Sequence, residues 1–144
     1  MRALYMIHES IRVLYLPDRK AAIIKCSLGN DLGKFWYLGN KADLERAGEI
    51  TCLLKDDPSV RTLDIDAQTA ERLVALAEDQ RDHRRRYSSA SEDLQVAEKS
   101  SDSEAIRKEL ERDMDKARGA LQENDSRINK YLRGFGIEFV ATRP

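Results

Sequence analysis

Hydrophobic and polar positions follow two different rhythms along this chain. In the first 65 residues the apolar positions crowd together in short runs. Ile11-Arg-Val-Leu-Tyr-Leu16 and Ala21-Ala-Ile-Ile-Lys-Cys26 are rich in β-branched and aromatic side chains and flank Pro17-Asp18-Arg19-Lys20. Proline presets φ at the second position of a turn and aspartate caps it, so the spacing predicts a β-hairpin. Ala3 to Ile7 is equally apolar and reads as a strand or a short helix, because so short a run carries no decisive period. After a loop over Leu28 to Gly33, Lys34-Phe-Trp-Tyr-Leu38 predicts a third strand. Asn40 then has the chemistry of an N-cap for a short helix, Lys41 to Ala47, which Gly48 would end in a left-handed conformation. Glu49 to Leu54 and Ser59 to Ile65 predict a further strand pair around Lys55-Asp-Asp-Pro58.

At Asp66 the rhythm changes to threes and fours. Asp66 is a candidate N-cap, and Ala70, Leu73, Leu76, Gln80, His83, Tyr87, Ala90, Leu94 and Ala97 lie on one helical stripe with no Pro or Gly between them. A polar turn follows at Lys99 to Asp102, where Ser101 and Glu104 have the spacing of a capping box. A second stripe, Ile106, Leu110, Met114, Ala117, Leu121, Ile128 and Leu132, runs to Gly134 and Gly136, after which Ile137 to Ala141 can return as a last strand. If the helices fold back on each other, facing residues have indices adding to about 200, since both rise equally per residue. The stripes then match, large against small: Leu94 meets Ile106, Ala90 meets Leu110, Tyr87 meets Met114, His83 meets Ala117, Gln80 meets Leu121 and Leu73 meets Ile128. Each arm is roughly 45 to 50 Å long. The stripe is broad near the base, where Val74, Ala77, Tyr131 and Phe135 widen it, and narrow from Gln80 to Leu121.

The predicted fold is therefore α+β, a small antiparallel β-sheet with a long antiparallel, coiled-coil-like two-helix hairpin. At 144 residues it is expected to be a single domain, 1–144, with 1–65 and 135–144 as the β-sheet base and 66–133 as the projecting hairpin. Charged residues make up 35% of the chain, which suits long solvated helices. Lys and Arg number 25 against 26 Asp and Glu, so there is no global field to gather nucleic acid, and a charged partner must meet a local patch. Cys26 and Cys52 lack ligand spacing and are expected to be reduced core thiols, with a disulfide as the alternative. No leader and no membrane-length apolar run is evident, and a cytoplasmic location is expected.

The candidate chemistry is sparse. His8-Glu9-Ser10 has the residue types of a hydrolytic triad, but neighbours on a strand point to opposite faces and cannot form a relay. Gly29 to Lys34 is too short for a phosphate loop and lacks its Ser/Thr. The acidic pairs Asp56-Asp57 and Asp64/Asp66 belong to turns and a cap. No catalytic residue, metal or cofactor is expected. Arg84-Arg85-Arg86 is the one local charge feature: three consecutive arginines fan over about 200° of a helix, so some reach solvent. In the register above they lie opposite Glu111, Asp113 and Asp115, and cross-helix ion pairs are expected to neutralise them.

These features predict a non-enzymatic interaction protein of adaptor or inhibitor type, which oligomerises, as a homodimer, or grips a protein partner through its hairpin. Gln80, His83, Tyr87, Leu94, Ile106, Leu110 and Met114 are the candidate partner-binding residues. The alternative is an anion, nucleotide or nucleic-acid binding module that uses Arg84, Arg85 and Arg86 with Lys108, Arg112 and Lys116, or a pocket at a dimer interface where Trp36 or Tyr37 stacks on a base.

Overall fold

The structure, a computed structural model, describes residues 1–26, 31–99 and 104–137. Its described strands are β1 (Arg2–His8), β2 (Ile11–Leu16), β3 (Ala21–Cys26), β4 (Tyr37–Leu38) and β5 (Arg61–Asp64), and its α-helices are α1 (Lys41–Leu53), α2 (Ala67–Lys99) and α3 (Glu104–Gly134). The strands form one sheet in the order β4-β3-β2-β1-β5, every neighbour antiparallel. The long helices pack together as a hairpin, so the molecule is α+β as the two rhythms predict.

Sequence and structure agree best where local chemistry is strongest. The β2–β3 hairpin turns through a single 3-10 turn, Pro17–Arg19, closed by Lys20 at φ 48°. Ala3 to Ile7 resolves as strand, because β1 joins β2 through the two residues Glu9 and Ser10, with His8 opposite Ile11 and Glu9 at φ 54°. Asp66 caps α2: its Oδ1 accepts from the Thr69 N–H at 2.6 Å. At the other end of the hairpin Gly136, at φ 82°, is the residue that stops α3, and Gly134 is not. Its N–H donates to Arg133 O and that of Ile137 to Leu132 O, the paired bonds of a Schellman cap, and Ile137 is buried as the motif favours. Residues 100–103 of the hairpin turn, with Ser101 of the expected Ser101–Glu104 capping box, residues 28–30 of the 28–33 loop, and the strand expected over 137–141 apart from Ile137 lie outside the described residues.

Three expectations are overturned. The segment from Glu49 to Leu53 is not a strand: α1 continues through Gly48, and β5 pairs with β1 instead of with a 49–54 strand. Strand propensity at Ile50 and Thr51 loses to helical spacing, since Leu44, Ala47, Ile50 and Leu54 share the face that packs on the sheet. Gly48 lies on the sheet side, with Tyr15 Oη 3.9 Å from where its Cβ would stand, and needs no left-handed conformation. The third strand shrinks to Tyr37–Leu38, because Asp31–Lys34 winds into a 3-10 turn. Finally, Cys52 is exposed on α1 rather than a core thiol; Cys26 is half-buried, and neither forms a disulfide.

A sheet covered on both faces explains the crowded apolar runs. Alternate residues of β1, β2 and β3 point in opposite directions. Tyr5, Leu14, Leu16 and Ile23 meet the hairpin base through Leu73, Ala77, Ile128 and Leu132. Leu4, Met6, Val13 and Ile24 meet Ala47 and Ile50 of α1. The two cores hold the hairpin on one side of the sheet and α1 on the other. At Gly39, which joins β4 to α1, a Cβ would stand 2.7 Å from Asp43 Cβ and 3.0 Å from Ile24 Cδ1, so the connection requires glycine.

Candidate functional site

The hairpin is aimed by a polar lock at its junction with the sheet. Asp125 falls on the buried face of α3, between Leu121 and Ile128, and its carboxylate enters the protein with them. There it accepts the Trp36 backbone N–H at 2.7 Å, Lys25 Nζ at 3.1 Å and Asn129 Nδ2 at 3.3 Å. Asn129 Oδ1 accepts the Trp36 indole N–H at 2.7 Å, and the Lys25 ammonium lies 5.7 Å from the indole centroid. Charge-assisted hydrogen bonds to buried groups are costly to break, so these contacts fix α3 against β3 and the residues before β4. In the sequence, Asn124-Asp125 stands as a polar interruption between Leu121 and Ile128. The available signal was an aspartate one helical turn from Leu121 and Ile128, on the face that must be buried.

The arginine run divides between two tasks. Arg81 donates to Leu38 O at 3.0 Å and to Gly39 O at 3.1 Å, covering the carbonyls at the edge strand β4. Arg84 donates to Leu32 O and its guanidinium stacks over the Tyr37 ring at 4.2 Å. Burial pushes the Tyr37 phenol up, Asp43 adds to that and Arg84 opposes it. Arg84 is therefore spent on the sheet and not presented to an anion. Arg85 pairs along its own helix with Asp82 at 3.6 Å. Among the described residues no ion pair joins these arginines to Glu111, Asp113 or Asp115, contrary to expectation, because Arg84 turns toward the sheet while Arg85 and Arg86 face solvent. Lys108 pairs with Glu104, and Arg112 and Lys116 are exposed along α3. Nor can Trp36 stack on a base: it is fully buried, and Tyr37 carries Arg84 on its ring.

The candidate partner-binding residues separate by depth. Gln80 is fully buried and donates from Nε2 to Leu121 O at 3.0 Å, which realises the expected register but takes Gln80 out of reach of a partner; its Oε1 has no hydrogen-bond partner. Tyr87 is half-buried, accepting from Arg118 Nη2 at 2.8 Å, with that guanidinium 5.4 Å from its ring centroid. Leu94, Leu110 and Met114 are half-buried, and Ile106 is 47% exposed. Beyond Tyr87 and before Ala117, only Ala90 and Ala97 are buried among the described residues. The side-chain ties from α2 to β4, made by Arg81 and Arg84, lie nearer the base than this outer half.

Two open clefts run along the hairpin face turned away from the sheet. The one near the base, about 740 Å³, is walled by Arg72, Leu76, Asp79, Arg127, Tyr131 and Phe135. The one further out, about 850 Å³, is walled by His83, Arg86, Ala90, Asp93, Leu110 and Asp113. His83 lies in the second, half-buried, with Nδ1 enclosed and without a hydrogen-bond partner. Among the described residues no helix is long and apolar enough to cross a membrane. Comparison with family models, with curated proteins and with solved structures finds no match to this chain.

Proposed function

We propose that this is a non-enzymatic interaction protein, of adaptor or inhibitor type, whose helical hairpin binds a protein. One observation carries the reading: helices of 33 and 31 residues, about 45 to 50 Å long, extend well past the sheet that buries their bases. A free helix pair held by alanines and half-buried leucines gains little from its own seam, so a surface that covers its outer face supplies what the chain omits. The lock around Asp125 supports the same reading, because it spends buried charge on orienting the hairpin. The nucleic-acid alternative is weaker: Arg84 is occupied, and Asp82, Asp93 and Asp113 stand beside Arg85 and Arg86, where they repel phosphate.

The test replaces residues 87–114 with a short turn and compares it with the intact chain by light scattering and by quantitative co-purification. The expected result is that association, with itself or another protein, is lost while the sheet and the hairpin base still unfold cooperatively. A shortened chain that keeps every association of the intact one overturns the proposal.

A further inference from the structure

A stripe along the cleft-lining side of α2 reads the same in both directions if charge is reversed. Every third or fourth residue, from Arg72 through Leu76, Asp79, His83, Arg86 and Ala90 to Asp93, forms one heptad-spaced stripe, and all of them wall the two clefts just described. Reflected about His83, each member meets a complement: Arg72 meets Asp93, Leu76 meets Ala90, Asp79 meets Arg86, and His83 meets itself. The indices of these pairs add to about 166, one antiparallel register. Residue 83 is also the midpoint of α2, Ala67–Lys99, so the register uses the helix from end to end.

From this we infer that the occupant of the outer face is a second copy of this chain, docked with its α2 antiparallel on α2 about a twofold axis through His83. This inference rests on reading the hairpin as an interaction element and specifies its partner. A twofold interface must be self-complementary, because each residue meets its own mirror position; a face evolved for an unrelated protein carries no such requirement. The charges are available. Asp79, Arg86 and Asp93 are exposed and, among the described residues, make no ion pair, and Arg72 has a 3.5 Å contact to Tyr131 Oη. Leu76 is half-buried and Ala90 is 7% exposed at the cleft wall, so a large side chain faces a small one on each side of the axis. On α3, Ala117 and Ala120 stand at the height of the axis and leave room for close approach. Alternating charge sets register and direction, since a parallel or shifted pairing puts Arg72 on Arg72 or Asp79 on Asp93.

The test uses two full-length charge variants. Arg72→Glu with Arg86→Glu makes the four charged positions of the stripe acidic; Asp79→Arg with Asp93→Arg makes them basic. All four positions are exposed, and circular dichroism checks that both variants fold. The wild-type chain is expected to sediment at twice the chain mass, each variant alone to self-associate roughly 100-fold or more weakly, and the equimolar mixture to return to the dimer mass as a one-to-one heterodimer. In a Cys26→Ser/Cys52→Ser background treated with diamide, His83→Cys is expected to oxidise to a covalent dimer, whereas Glu98→Cys, about 45 Å from its own copy in this register, is not. Variants that dimerise like the wild type, or a mixture that stays monomeric, overturn the inference. So does a monomeric wild-type chain that binds another protein through residues 87–114, and that outcome leaves the reading of an interaction protein standing.

Discussion

Replacing Asp125 by alanine should loosen the hairpin from the sheet and destabilise the whole chain. The substitution removes the acceptor for the Trp36 N–H, for Lys25 Nζ and for Asn129 Nδ2. Breaking a buried, hydrogen-bonded ion pair by deleting one partner costs about 3–5 kcal/mol, most of it the penalty on the charge left behind. The side chains of Lys25 and Asp125 keep 19% and 12% exposure, so water relieves part of that penalty and the lower end, about 3 kcal/mol, applies. At this chain length each kcal/mol lowers Tm by about 2–4 °C, which gives a fall of roughly 6–12 °C. Urea unfolding followed by tryptophan fluorescence is the direct assay. Trp36 is the chain's single tryptophan, is fully buried, and bonds both to Asp125 and to Asn129, so its emission reports the lock itself. Adding Lys25→Met should recover about 1 kcal/mol or more, because the charge to be stranded is gone. A loss below about 1 kcal/mol, the scale of an exposed ion pair, would refute the idea that this junction holds the hairpin.

Gly39→Ala should cost about 1–3 kcal/mol in the same assay, since the new methyl would meet Asp43 Cβ at 2.7 Å and Ala22 O at 3.2 Å; a neutral result would mean that β4 and α1 part without resistance. The Asp66 carboxyl is held below its ordinary 3.8 by the Thr69 N–H and then by the Thr69 hydroxyl, so its contribution is present above that value and fades as pH falls through the lower folded one. The Thr69 amide resonance should accordingly titrate below pH 3.8 in the wild type and stay flat in Asp66→Asn, whose side-chain oxygen still caps the helix; an unchanged titration in the variant would contradict that assignment. Arg84→Met should raise the Tyr37 phenol further above 10.0, because burial and Asp43 then act unopposed, and ultraviolet titration against a Tyr37→Phe control measures it; a fall would reverse the assigned sign.

Periodicity alone carried much of this architecture, and the reasons differ from place to place. Around Asp66 and Pro17 the residues that define a boundary are neighbours in sequence, so their chemistry is legible without a fold. The Gln80–Leu121 contact was legible too, because two helices of equal rise leave one register that matches their stripes. Glu49–Leu54 was misread for the opposite reason. Its β-branched residues favour a strand locally, and only the second face of the sheet, which needs Ala47 and Ile50 to cover Met6 and Ile24, makes it a helix.

The sequence by itself determined the two rhythms, the hairpin and its register, and the charge order along α2, since each is a property of one helix or of two helices of equal pitch. Only the tertiary structure decided which of those residues are free to act. It turned Arg81 and Arg84 onto β4, sank Gln80 and Trp36 into the interior, and left Asp79, Arg86 and Asp93 facing outward. Exposure depends on what the rest of the chain lays against a helix, and the sheet, which approaches α2 from one side only, made that choice.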